Sequence, residues 1–594
     1  MPCVYRTVLK ILGKPGYGKT ALCSAVIDSF RDDLTKPKSV AFSAFYYFDA
    51  QRSQTNTPGH CMRAILTQLV HEFQHKDESI DTASFLMDTT GRGQRVATES
   101  EVCSILRLLL RSIKNVVLVI DAIDECLDQR TFLRYLRNVA SQPSNCAIIL
   151  FSRPNCQLLA SVFSKCQYIR LEKCMNINDI QCYLEETFQN MASEELLPTD
   201  LDCKKAVIEV AERADGMFLW ATLFSNYLQS CVLTVDDRLE AINQYSYLAG
   251  LDALYTAILK DITTRFPEPR EQANIRRAFQ WVAGATRPLL VEELRVASGI
   301  KPGQSTQQSR LIPEFNRSLA EFSGSLLEIS QDETVRFIHL SALEYLTGSN
   351  KKHLDLTGRF GFGIPFHETQ RTLASSCLSY LSVDIPAEPL SGSPDIVPDR
   401  EIQHKRFPLL SYVLNSWTKH VCAGMEIDYN HGPLIDQDET LYQLVSMMTS
   451  ILNDKRRISM FIETSWLFDI RPSLGEIPQK LASLYESLPA KKIKTKFLGS
   501  REIKNMVSSA EALSKDLRSL NDAWSLVLKD HPNEIWLPSI SAFNPSRFWK
   551  HTNDATFRPL DSNESLTPLK FLVIESQVSQ CGLYLGQIKL FPSV

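Results

Sequence analysis

The sequence predicts an α/β domain with a parallel sheet at its N-terminus, followed by helical and winged-helix-like units and a mostly helical C-terminal region. Three observations carry this. Over residues 1–175 short β-rich runs alternate with helical patterns, the signature of parallel βαβ units. A glycine-rich turn at 13–20 stands between the first such strand and the first helix. Beyond Asn176 the β-rich runs thin out and apolar residues recur at helical spacing. At 594 residues the chain also exceeds what one core organises, so several domains are required.

Each element has a local cause. Runs rich in β-branched and aromatic residues place strands at 7–12, 40–48, 115–120, 146–151 and 167–171, and apolar periodicity between them places helices at 20–30, 62–73, 99–113 and 130–140. The expected organisation is a P-loop core over 1–175, a helical lid over 176–245 and a winged-helix-like unit over 246–350, with a short strand pair near 326–329 and 335–338. A helix and Pro-rich linker follow over 351–400, then a mostly helical region over 401–594. Pro386, Pro389, Pro394 and Pro398, with Ser and Gly between them, are the linker signal. No fixed-period self-similarity marks a repeat array in the C-terminal region.

Composition narrows the function classes. The balance of 64 Lys+Arg against 68 Asp+Glu leaves a net charge of −4, so no overall basic field prepares the chain for a nucleic acid. Hydrophobic residues at 44% and charged residues at 22% are globular values and exclude wholesale disorder. No apolar run approaches the ~18 residues of a membrane span. The 15 cysteines are scattered, without a C-x-x-C pair or an N-terminal signal-like run, as in a reduced cytoplasmic protein.

Gly13-Lys14-Pro15-Gly16-Tyr17-Gly18-Lys19-Thr20 satisfies G-x-x-x-x-G-K-[ST]. Glycines there let backbone N–H groups curl around phosphates, and the helix start adds a positive dipole end. Lys19 is expected to reach the β- and γ-phosphates and the Thr20 hydroxyl to ligate Mg2+. Further on, Val116-Val117-Leu118-Val119-Ile120 leads into Asp121-Ala122-Ile123-Asp124-Glu125. Asp121, at a strand's carboxyl end, is the candidate Mg2+ carboxylate. Glu125, with Asp124 as competitor, is the candidate for orienting or deprotonating an attacking water. The same cluster also suits a plain helix N-cap. A third strand ends in Ser152-Arg153-Pro154, where Arg153 is either a γ-phosphate contact or a surface loop arginine.

These boxes, followed by Ala214-Asp215-Gly216-Met217-Phe218-Leu219-Trp220-Ala221, resemble the NACHT branch of the STAND P-loop NTPases, in the version of fungal NOD-like receptors and nephrocystin-3-like proteins. Four later boxes extend the resemblance over about 10–420. They are Arg287-Pro288-Leu289 with Glu292-Glu293-Leu294, Phe337-Ile338-His339-Leu340-Ser341 with Glu344-Tyr345-Leu346, Cys377-Leu378-Ser379-Tyr380-Leu381, and the stretch from Tyr412 to His420 around Trp417. The resemblance implies a nucleotide switch that binds and slowly hydrolyses ATP or GTP with Mg2+ and holds ADP or GDP at rest. It further implies self-association on activation, signalling in non-self recognition or cell death, and protein partners through the C-terminal region. His339 would sense the bound diphosphate; a satisfied core histidine is the competing reading. A non-hydrolysing, nucleotide-stabilised interaction scaffold is the alternative function.

Two departures from the family pattern are visible. A small residue, often Gly, usually follows the first acidic-box Asp, and Ala122 keeps this in part. Only 12 residues precede Gly13, whereas the resemblance implies an upstream segment that helps seat the base and an effector domain before it, so a partial chain is expected.

Three further motifs carry little. His71-Glu72-Phe73-Gln74-His75 matches the zinc-protease pattern H-E-x-x-H, but Met62, Ile65, Leu66, Leu69, Val70 and Phe73 gather on the opposite helix face, so both imidazoles are expected in solvent. Lys491, Lys492, Lys494 and Lys496 form a basic run that reads as solvated surface. Trp524, Trp536 and Trp549 read as C-terminal packing.

Overall fold

Five strands build the parallel sheet expected at the N-terminus: β1 (Val8–Leu12), β2 (Phe42–Tyr47), β3 (Val116–Asp121), β4 (Cys146–Ser152) and β5 (Gln167–Arg170). Their order is β2-β3-β4-β1-β5, with every neighbouring pair parallel. The computed structural model describes residues 8–32, 40, 42–52, 55–73, 97–113, 115–140, 146–231, 233–243, 250–348, 361–426, 439–487, 500–537, 540, 577–578 and 584–585. β3 is buried along its whole length, as a run of five aliphatics in a doubly covered parallel sheet must be. α1 (Lys19–Arg31) covers one face, where Cys23 and Ile27 meet Ile11, Val117, Val119 and Phe151. α2 (Pro58–Phe73), α3 (Glu99–Ser112), α4 (Gln129–Ala140) and α5 (Gln157–Val162) cover the other. α2 begins earlier than the expected residue 62, with Pro58 in the first turn where its missing N–H costs nothing.

The register places three strand ends side by side. β4 lies between β1 and β3, with Leu12 opposite Ser152 and Ile120 opposite Leu150. The phosphate-loop segment, Ser152-Arg153 and the acidic box therefore leave the sheet together, at the edge where parallel sheets bind ligands.

α6 (Lys173–Ser193), α7 (Cys203–Arg213), α8 (Phe218–Leu228) and α9 (Val235–Asn243) follow as a helical unit. Trp220, fully buried, stacks on Phe224 with 4.8 Å between ring centroids, and Arg213 reaches the Ala241 carbonyl at 3.0 Å to tie α7 to α9. α10 (Leu251–Arg265), α11 (Pro269–Gly284), α12 (Val291–Gly299), α13 (Phe315–Phe322) and α14 (Leu340–Thr347) then surround a three-stranded antiparallel sheet. Its strands, β6 (Leu289–Leu290), β7 (Leu327–Ile329) and β8 (Thr334–Phe337), lie in the order β6-β8-β7. This is a winged-helix layout, and β6 joins the expected strand pair as a third member.

The C-terminal region is helical, as expected: α15 (Phe366–Ser379), α16 (Arg400–Arg406), α17 (Leu410–Gly424), α18 (Glu439–Leu452), α19 (Lys455–Leu467), α20 (Ile477–Ser487) and α21 (Ser500–Asp530). A short antiparallel pair, Gln577–Val578 with Tyr584–Leu585, lies beyond them. One apolar core runs from Tyr17 through the helical and winged-helix units to Ile540. The Pro-rich stretch is fastened to it. Leu390 donates its N–H to Glu463 at 3.1 Å, its carbonyl accepts from Gln403 at 3.1 Å, and Asn533 reaches the Pro394 carbonyl at 2.8 Å.

The winged-helix unit meets the C-terminal helices through a polar knot. His420, fully buried on α17, bonds Tyr412 Oη (2.8 Å) and Gln370 Oε1 (2.7 Å), while Gln370 Nε2 donates to the Gly284 carbonyl (3.1 Å). Thr286 N donates to Tyr412 Oη at 3.0 Å. Arg287 grips Glu293 through both terminal nitrogens at 2.8 and 2.7 Å and lies over the Tyr412 ring.

No described helix is long and apolar enough to cross a membrane, and the described cysteines are all free. His71 and Glu72 are exposed on α2, and His75 lies outside the described residues. Among the described residues no cluster of three His, Cys, Asp or Glu side chains suits a metal ion. Trp536 packs as expected, its Nε1 donating to Glu463 at 2.8 Å; Trp549 and the basic run 491–496 lie outside the described residues.

Candidate functional site

The phosphate-loop segment bridges β1 and α1 and needs its glycines. Gly16 and Gly18 adopt φ of 75° and 73°, the left-handed region, and a Cβ on Gly16 would stand 2.9 Å from the Leu219 Cβ. Gly13 N–H donates to the Ser152 carbonyl at 3.2 Å, anchoring the loop to the end of β4. Lys19 Nζ curls back to the carbonyls of Gly13 (2.9 Å) and Lys14 (3.0 Å), and burial lowers its pKa. The side chains of Lys14 and Tyr17 turn to the helical unit. Lys14 Nζ pairs with Asp215 at 2.9 Å, and Tyr17 Oη donates to the Asp215 carbonyl at 2.6 Å. Asn176 Nδ2 bonds the carbonyls of both Tyr17 (3.2 Å) and Gly216 (2.9 Å). The loop backbone also closes on itself, with Tyr17 N–H donating to the Lys14 carbonyl at 3.3 Å.

The acidic box divides into three roles of geometry. Asp121, 1% exposed, accepts the Thr20 hydroxyl on Oδ2 at 2.7 Å, while Oδ1 is buried without a hydrogen-bond partner among the described residues. Burial raises its pKa. Asp124 is fully engaged with the end of β4. Its Oδ1 accepts Ser152 Oγ (3.1 Å) and Arg153 N (3.0 Å), and Oδ2 meets Arg153 Nε at 3.0 Å. Among the described residues the Glu125 carboxylate accepts the Ala50 N–H alone, on Oε2 at 2.9 Å, and burial pushes its carboxyl up to about 7. Asp121 and Thr20 therefore offer a hard oxygen pair for a divalent cation, whereas Glu125 has the proton affinity of a base near neutral pH.

Arg153 is no surface arginine. Its Nη1 forks onto both carboxylate oxygens of Glu344 on α14, at 2.9 and 3.0 Å, and its Nη2 is buried without a hydrogen-bond partner among the described residues. His339 caps the same helix: Ser341 N–H donates to Nδ1 at 3.1 Å. Burial, with the Arg153 and Lys19 charges nearby, pushes the imidazole down to about 4, so the ring is neutral at pH 7. With Nδ1 accepting a backbone donor, the ring proton sits on Nε2. Tyr255 Oη bonds Ser341 Oγ at 2.8 Å, and Ser341 Oγ bonds His339 Nδ1 at 2.8 Å.

The structure thus gathers Lys19, Thr20, Asp121, Asp124, Glu125, Arg153 and His339 around three strand ends. It adds Glu344, Ser341, Tyr255, Gln51 and Asp215, whose site roles the sequence reading did not assign. Glu344, Ser341 and Asp215 stood in quoted boxes; nothing in the sequence distinguished Gln51 or Tyr255 from neighbours of the same type.

Residues 5–153 match the protein family described as Nephrocystin 3, N-terminal, so the nephrocystin-3-like part of the resemblance holds for the segment with the phosphate loop, the acidic box and Arg153. No curated protein matches the chain. Among solved structures, the STAND protein with a tetratricopeptide repeat sensor from Pyrococcus horikoshii aligns at 12% identity over 90% of this chain and 77% of that chain, with a TM-score of 0.32. Drosophila ORC bound to DNA aligns at 16% identity over 59% of this chain and 82% of that chain, with a TM-score of 0.21.

Proposed function

We propose that this chain, nephrocystin-3-like over residues 5–153, is a nucleotide-dependent switch that binds ATP or GTP with Mg2+ and reads the γ-phosphate through Arg153. The observation that carries the reading is the Arg153–Glu344 fork, because it joins a residue beside the phosphate loop to the winged-helix unit. A γ-phosphate, a dianion with three terminal oxygens, competes for the same guanidinium, so nucleotide state biases whether α14 stays docked.

The residues fit the ligand. Gly16 and Gly18 supply the positive φ that the phosphate-loop turn requires, and Asp121 Oδ1 and Arg153 Nη2, without partners among the described residues, match a cation and an anion respectively. Lys19 binds the β- and γ-phosphates; Thr20 and Asp121 hold Mg2+, which when bound neutralises phosphate charge. Glu125 orients and deprotonates water, and Asp124 positions Arg153. His339 Nε2–H donates to a phosphate oxygen, the diphosphate-sensing role the sequence boxes suggest. With slow hydrolysis, the diphosphate form is the resting one, and the triphosphate form self-associates. The finer reading is a fungal NOD-like receptor role in non-self recognition or cell death, with partners at the C-terminal region.

Lys19→Ala tests the reading. Calorimetric titration is expected to show triphosphate binding abolished while far-UV circular dichroism stays unchanged; unchanged binding would contradict the proposal.

A further inference from the structure

β8 is the middle strand of its sheet, yet β6 pairs with it only through Leu289–Val335 and Leu290–Thr334. At Phe337 no described strand lies beside the backbone on that side, and the Gln51 carboxamide takes the place. Phe337 N–H donates to Gln51 Oε1 at 2.9 Å, and Gln51 Nε2 donates to the Phe337 carbonyl at 3.2 Å. On its other edge Phe337 pairs with Leu327 of β7. A planar amide presents donor and acceptor together, which a carboxylate or an alkyl chain of the same size does not. Next to it, Arg52 reaches Asp332 in the β7–β8 turn at 3.0 Å.

The same short segment holds the acidic box. Ala50 N–H is the donor to Glu125 Oε2 at 2.9 Å. Asp49 to Arg52 is a closed turn: Arg52 N–H donates to the Asp49 carbonyl at 3.0 Å and Gln51 N–H to Asp49 Oδ1 at 2.9 Å. A displacement at Gln51 therefore carries Ala50 with it.

We propose that Gln51 is a positioning residue through which docking of the winged-helix unit keeps the Ala50 N–H on Glu125 Oε2 and so withholds that oxygen from water. The proposal rests on the reading of Glu125 as the hydrolytic base. When β8 lifts away, the turn relaxes, Ala50 leaves Oε2, and that oxygen is free to accept a proton from water. Undocking and hydrolysis are thereby tied to one loop. The charged groups that face Glu125 are Asp124 in its own turn, Asp49 in the 49–52 turn, Arg153 after β4 and Lys19 on α1.

Amide hydrogen exchange of the full chain tests this without turnover, comparing the unmodified protein with Gln51→Leu on peptides containing Ala50, Phe337 and, as a reference, β3. Loss of the two amide bonds is expected to speed exchange at both Ala50 and Phe337 by about ten-fold, with β3 unchanged. Faster exchange at Phe337 with Ala50 still protected, no change at either, or a rise throughout the chain overturns the proposal. Nucleotide hydrolysis supplies the second readout. Gln51→Leu is expected to raise kcat at constant KM and to move the acidic limb of the pH–rate profile upward, because the Ala50 bond favours the charged carboxylate; kcat and limb both unchanged overturn the proposal. If Glu125→Gln hydrolyses as fast as the unmodified chain, the base reading fails, while the exchange result at Ala50 still decides the mechanical coupling.

Discussion

Asp124 and Glu125 are neighbours of the same charge, and only their partners separate them. Asp124 spends both oxygens on Ser152 and Arg153, whereas Glu125 has one backbone donor and a pKa near 7. The sequence left these two open because both stand just past the strand, and the choice depends on β4, which arrives later in the chain. Ala122 is clearer: its φ of 52° and ψ of 46° are left-handed, which explains why a glycine suits this position. Ala122→Gly is expected to stabilise the protein by about 1 kcal/mol, read as a higher urea midpoint; a lower midpoint would contradict it. Glu463 is a second buried carboxylate, pushed up to about 7 by burial, against which the hydrogen bonds from Trp536 and Leu390 pull it down. A raised carboxyl pKa contributes stability that is complete below about 4.5 and is lost as pH rises through about 7. Glu463→Gln should therefore flatten the fall in stability between those values, a difference on the order of 3 kcal/mol; parallel curves for the two proteins would show that Glu463 titrates normally.

At the scale of elements, long runs were legible and short or borrowed ones were not. The five aliphatics of β3 and the glycine loop before α1 announce themselves because burial and positive φ each restrict residue type. β6, two residues long, is too short for any period to appear. Prolines at 386–398 correctly signal a break in helix but say nothing of contacts, and Glu463, Gln403 and Asn533 fasten that stretch. The contact that matters most for function, Arg153 on Glu344, spans 191 residues and left no local signal of pairing. Both side chains are largely buried, at 12% and 18% exposure, so cutting the pair removes a charge-assisted fork from a largely desolvated place and leaves Arg153 with Asp124 as its carboxylate partner among the described residues. Glu344→Gln is expected to weaken docking of α14 and to raise triphosphate affinity about ten-fold relative to diphosphate. An unchanged ratio of the two affinities, measured by titration calorimetry, would remove Glu344 from the mechanism.

For the molecule as a whole, the boxes at Arg287 to Leu294 and Tyr412 to His420 narrowed the resemblance without naming chemistry, and the structure shows why. They converge on the polar knot between the winged-helix unit and the C-terminal helices, where His420, Tyr412, Gln370 and Arg287 meet. Such residues fix how units are joined. The apolar core that continues from Tyr17 to Ile540 extends that joining to the C-terminal helices. The central claim is that nucleotide state governs this joined arrangement through Arg153. Small-angle X-ray scattering of the full chain, in diphosphate and then in a non-hydrolysable triphosphate with Mg2+, tests it most directly. The account predicts a compact monomer in diphosphate and an expanded or self-associated particle in triphosphate, the change being lost in Arg153→Ala. Superimposable scattering in the two nucleotides, with both shown to be bound, would contradict it.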